Sequence, residues 1–82
     1  MARSIVSLTK DLWTDLGAAP MVVTIHKEGD QGSHLKLNTT NADAPSLIVS
    51  KGRMGHQFSN NDSSENMWAK ATGENWQVAV DV

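Results

Sequence analysis

Apolar and polar residues alternate most regularly over the last sixteen positions of the chain, Met67 to Val82. Trp76, Val78, Val80 and Val82 take turns with Gln77, Ala79 and Asp81. Upstream, Met67, Ala69 and Ala71 take turns with Trp68 and Lys70. A period of two is the mark of a strand with one buried face. Between the runs, Thr72-Gly73-Glu74-Asn75 places Gly first in a two-residue loop, which suits a type II′ turn. The pattern predicts a C-terminal β-hairpin in which Ala71 faces Trp76, Ala69 faces Val78 and Met67 faces Val80. A slip of one residue would turn the Trp76, Val78 and Val80 set outward. Trp68 falls on the second face. There it is either covered by another part of the chain or left as an aromatic anchor for a partner.

The same reading along the rest of the chain predicts a first strand at Ser4-Ile5-Val6-Ser7-Leu8. Thr9 to Gly17 follows, with Thr9 as a cap, Leu12, Trp13 and Leu16 at helical spacing and Gly17 as a stop. It predicts one helical turn or an irregular plug near residues 10–16, with Trp13 as a lid on the core. Pro20 excludes a continuing helix. Met21 to His26 is the next strand, with Met21, Val23 and Ile25 on its inner face. Lys27 to Ser33 is polar and Gly-bearing, a hairpin loop or bulged turn, and His34 to Leu37 returns with Leu35 and Leu37 inward. Asn38 to Pro45 has loop composition, Ser46 to Ser50 is a compact apolar strand, and Lys51-Gly52-Arg53 turns the chain. Met54 to Phe58 is a weak strand, and Ser59 to Asn66 is an exposed polar loop. Six or seven short strands with frequent turn signals predict one all-β domain over residues 1–82. It would be a small antiparallel β-sandwich or barrel closed by the C-terminal hairpin.

Composition adds one consequence. Aromatic residues make up 5% of the chain, with one Phe and no Tyr, and there is no Cys to form a disulfide. A domain of this size is marginally stable from its core alone, so self-association or docking on a larger assembly is the expectation. The net charge of −2 and scattered basic residues give no electrostatic footprint for nucleic acid. The opening residues lack the hydrophobic core of a signal peptide, and no run approaches a membrane span, so the expected compartment is a cytoplasm.

The residues that carry chemistry elsewhere are not arranged for it here. His26, His34 and His56 lack the tight ligand spacing of a zinc site. The Asn60 to Glu65 loop lacks the Asp spacing and central Gly of a calcium loop. No Ser sits in a G-x-S-x-G elbow, and no Gly-rich phosphate loop opens a helix. The expectation is a protein without catalytic residues, metal or cofactor.

Met67-Trp68-Ala69-Lys70-Ala71, then Gly73, then Val78-Ala79-Val80 resembles the ending of many small virion proteins of tailed bacteriophages. The passage from Trp13 to Pro20 into Val22-Val23 is also similar to them. Together these segments cover about a third of the chain. The resemblance implies a non-enzymatic structural protein assembled in the host cytoplasm and carried on the virion. A capsid decoration (cement) protein is its first form. A tail or head-fibre component is the alternative, and a small carbohydrate- or surface-binding module with Trp13 or Trp68 as stacking platform is a second. An antirestriction inhibitor is disfavoured because its strongly acidic surface is missing. The expected partners are the major capsid protein or another virion protein and further copies of the chain, a trimer favoured. The candidate contacts are Ile5, Val6 and Leu8 of the first strand, Trp13, Trp68, and Lys51 and Arg53 of the basic turn.

Overall fold

The computed structural model describes residues 3–29, 32–43, 46–50, 52 and 55–82. They form eight strands: β1 (Arg3–Leu8), β2 (Trp13–Ala18), β3 (Met21–Lys27), β4 (His34–Asn38), β5 (Leu47–Ser50), β6 (Gln57–Asn60), β7 (Asn66–Thr72) and β8 (Trp76–Asp81). Two four-stranded antiparallel sheets result, one in the order β1-β8-β3-β6 and one in the order β2-β7-β4-β5. The fold is an all-β sandwich, with eight strands where six or seven were expected.

The chain builds it by crossing between layers. Of the links between consecutive strands, β4 to β5 alone stays within one sheet, as a hairpin in which Leu35 pairs with Val49. The two sheet orders run in step, so β1 and β2, β8 and β7, β3 and β4, and β6 and β5 hold corresponding positions. The predicted C-terminal hairpin is therefore corrected. β7 pairs with β2 and β4, whereas β8 pairs with β1 and β3. Thr72-Gly73-Glu74-Asn75 is an arch that carries the chain from one sheet to the other, with Gly73 at φ 91°. The faces were read rightly: Met67, Ala69, Ala71, Trp76, Val78 and Val80 are all buried. Alternation says which residues point inward. It does not say whether two successive strands share a sheet or confront each other across the core, because both arrangements bury the same set. The same holds for the β3–β4 link: its two strands lie in different sheets, so the link is an arch and not the hairpin loop or bulged turn read at Lys27 to Ser33.

The expected helical turn is corrected too. The Leu12 amide donates to the Thr9 carbonyl at 3.3 Å, and Asp11 takes a left-handed φ of 62°, which ends any helix. The chain then enters β2 beside β7, with Trp13 opposite Lys70 and a bulge between Asp15 and Gly17. An open sheet edge, offering a ladder of hydrogen bonds, outcompetes an isolated helical turn. β6 also runs to Asn60, into the stretch expected to be loop.

The core fills the space between the layers. One sheet contributes Leu8, Met21, Val23, Ile25, Trp76, Val78 and Val80. The other contributes Leu35, Leu37, Val49, Met67, Ala69 and Ala71. Ala69 and Ala71 leave room for the large side chains of the opposite sheet, as close packing requires. The Trp76 indole is fully buried and donates to Ser33 Oγ at 3.1 Å, so its polar edge is satisfied inside the core.

Candidate interaction surfaces

Three features of the described surface bear on interaction. The first is a groove between β5 and β6, where the sandwich is open. Leu37, Leu47, Phe58 and Met67 form its apolar floor, with Asn38, Thr39, Ser46 and Asn60 among its rim, and its volume is about 600 Å³. It opens because β5 and β6 are short end strands of their sheets, each paired on one side only. On the opposite side of the sandwich, the Thr9–Leu12 turn draws β1 and β2 together. There the Asp11 amide donates to the Ala71 carbonyl at 2.6 Å, and the Lys10 amide to Asn75 Oδ1 at 2.8 Å.

The second is the outer face of the β2-β7-β4-β5 sheet. Strand register places Trp13, Lys70, Lys36 and Ile48 in one row across it, and Asp15, Trp68 and Asn38 in the next. Lys70 Nζ lies 5.8 Å from the Trp13 ring centroid, a cation–π distance. Asp43, from the β4–β5 connection, reaches over this row. Its Oδ1 is 3.0 Å from Lys70 Nζ and 3.8 Å from Lys36 Nζ. The hydrogen bond from Lys70 holds the Asp43 carboxyl below the usual carboxylate range, with the Lys36 charge and the Trp13 indole adding to it. Asp15 is engaged by the Asn66 amide at 3.2 Å and by the Gly17 backbone amide at 2.9 Å. The polar groups around the two tryptophans are thus largely tied to one another.

The third is the free side of β1. Its residue Ile5 is 48% exposed, beside Ala79 on the outer face. The strand is fastened to β8 by a two-pronged ion pair, with Arg3 Nε and Nη2 donating to the two Asp81 oxygens at 2.9 Å each. Hydrogen bonding from Arg3 lowers the Asp81 pKa.

These placements sort the residues expected from sequence. Ile5 is on the surface. Val6 points inward and packs against the core, and Leu8 is fully buried, so the Leu8 side chain is a core residue and not a contact. The alternation within β1, read as one β-prone run, decides this: Val6 and Leu8 pair with Val78 and Trp76, whose side chains face the core. Trp13 and Trp68 are half-buried on the same outer face, not as a lid over the core end. Lys51 and Arg53 lie outside the described residues. Sequence reasoning missed Leu47 and Ile48, which are 50% and 59% exposed. A continuous run of apolar residues reads as a buried strand. Only its end position in the sheet uncovers it. Among the described residues, no three His, Asp or Glu side chains gather into a metal-binding group.

A scan of protein-family models, curated protein sequences and solved structures returned no match to this chain.

Proposed function

We propose that the protein is a non-enzymatic structural component of a bacteriophage virion, first of all a decoration protein that docks on the capsid surface. The observation that supports this reading is where the apolar surface lies. Of the five large apolar residues exposed among the described residues, three, Ile5, Leu47 and Ile48, sit on end strands of the sheets; Leu12 lies in the β1–β2 turn and Val82 follows β8. An end strand with free backbone groups and an apolar side chain is suited to strand addition by a partner chain. The resemblance of the Trp68-Ala69-Lys70-Ala71 and Val78-Ala79-Val80 stretches to small virion proteins supplies the kind of assembly. The capsid contact is assigned to β1, through its free edge and Ile5.

Co-sedimentation tests this. Purified protein is spun with capsids, and separately with tails, of the phage whose genome encodes it. Saturable binding to capsids is the expected result, and Ile5→Lys is expected to weaken it about tenfold or more, the cost of burying an unpaired charge. Binding to tails alone would move the protein to the tail or head-fibre alternative. Binding to neither would overturn the reading.

A further inference from the structure

We infer that the free edge of β5 pairs with the same edge of a second copy of this chain, giving a twofold contact. Natural end strands are guarded by charge, proline or a bulge. β1 carries Arg3, and β2 carries Asp15 and a bulge; β6 has none of these guards, but the side chains it exposes, Gln57 and Ser59, are polar. β5, Leu47-Ile48-Val49-Ser50, has no charge, no proline and no bulge in its pairing with β4, and it exposes two large aliphatic side chains.

The strand also complements itself. In an antiparallel pair, opposite residues share a face. Ile48 points to the outer face, whereas Leu47 and Val49 point to the inner one, because their β4 partners are Lys36, Leu37 and Leu35. A twofold axis through Ile48 therefore sets Ile48 against Ile48 of the second copy, and Leu47 against Val49. Apolar meets apolar on both faces. Among the described residues no like charges are opposed: the nearest described cation on the outer face, Lys36, is one strand further in on each side and lies 3.8 Å from Asp43. The two copies of Lys36 would be about 14 Å apart, three strand spacings, beyond a Debye length at physiological salt. The contact is isologous, so its unit is a dimer and not the trimer expected from the resemblance. Its short strand covers less than a standard interface, so the dimer is weak and dissociates on dilution.

The absence of native cysteine gives a direct test on the purified protein, independent of any particle. Directly opposed side chains have Cβ atoms about 5 Å apart, close to disulfide range. Ile48→Cys is expected to form a disulfide dimer under mild oxidation about tenfold faster or more than Leu12→Cys or Ile5→Cys, both exposed at similar levels. Light scattering of the wild type is expected to show mass rising toward two chains with concentration, and Ile48→Lys to hold it at one. Cross-linking of Ile48→Cys no faster than the two controls would overturn the inference, as would a mass of one chain for the wild type up to millimolar concentration.

Discussion

Gly29 shows how tightly the two arches at one end of the sandwich are fitted together. A Cβ built there would lie 2.5 Å from Glu74 Cβ, 2.8 Å from Trp76 Nε1 and 2.9 Å from Ser33 Oγ. The β3–β4 arch thus presses its backbone against the β7–β8 arch and against the buried indole hydrogen bond. Gly29→Ala is expected to destabilise the fold by about 1–3 kcal/mol, the cost of overpacking a site that cannot yield. Urea unfolding measures it, and an unchanged midpoint would show that the arches are not in contact. Ser33→Ala removes the acceptor of the Trp76 indole and is expected to cost about 1–3 kcal/mol by leaving a buried donor unmet. That Trp76 belongs in the core was legible from its alternation with Val78 and Val80. The need for glycine at position 29 was not, since its two nearest neighbours, Glu74 and Trp76, are more than forty positions away along the chain. At the same scale, Asp43 and Asp81 have pKa values lowered by Lys70 and Arg3. A lowered carboxyl pKa contributes stability above the ordinary Asp value, near 3.9, and loses it as pH falls through the folded value. Stability is therefore expected to hold from neutral pH down to about 4 and to fall below it. The combined Asp43→Asn and Asp81→Asn variant should be less stable at neutral pH, with a shallower acid limb in thermal unfolding.

Elements were legible in their faces and opaque in their partners. Period-two alternation located β3, β4, β7 and β8 and assigned their inward residues correctly, and β1 was located as a short β-prone run. It went wrong at the links, where a Gly-bearing polar stretch was read as a hairpin both at Lys27 to Ser33 and at Thr72 to Asn75. A turn sequence records a local change of direction, and two inward faces meet equally well beside each other or across a core. β2 was hidden because Leu12, Trp13 and Leu16 mimic helical spacing. In the fold they part company: Leu12 is exposed, Trp13 lies on the outer face, and Leu16 packs against the core. The arrangement of β7 and β8 is open to direct test by nuclear Overhauser contacts between backbone protons. Val78 is expected to show cross-strand contacts to Val6 and Ile25, its register partners, and none to the Ala69 backbone. Backbone contacts between Ala69 and Val78 would restore the hairpin.

At the scale of the whole molecule, the sandwich is pinned on one side and open on the other, and its stability should follow that gradient. The Thr9–Leu12 turn, the Arg3–Asp81 pair and the buried Leu8 fasten the β1 and β2 side. On the β5 and β6 side, the groove of about 600 Å³ leaves Phe58 only half-buried and Leu47 half exposed. Few buried contacts and free edges make for local opening at low free energy. Amide hydrogen exchange is therefore expected to be fastest in β5 and β6 and slowest in β8, β3, β7 and β4, which are paired on both sides. Core truncation should mirror it. Leu35→Ala, at a position with no exposed surface, is expected to cost about 2–5 kcal/mol. Phe58→Ala in the groove is expected to cost less, because water already reaches part of the ring and the loss is one of partial burial. Binding a partner strand at the open side would cover that ring and the Leu47 side chain. Protection in β5 should then rise with protein concentration while exchange in β8 stays as it was. Uniform exchange across all eight strands, at every concentration, would mean that the open side is as firmly held as the closed one and that its apolar edge is not a place where the chain is left to be completed.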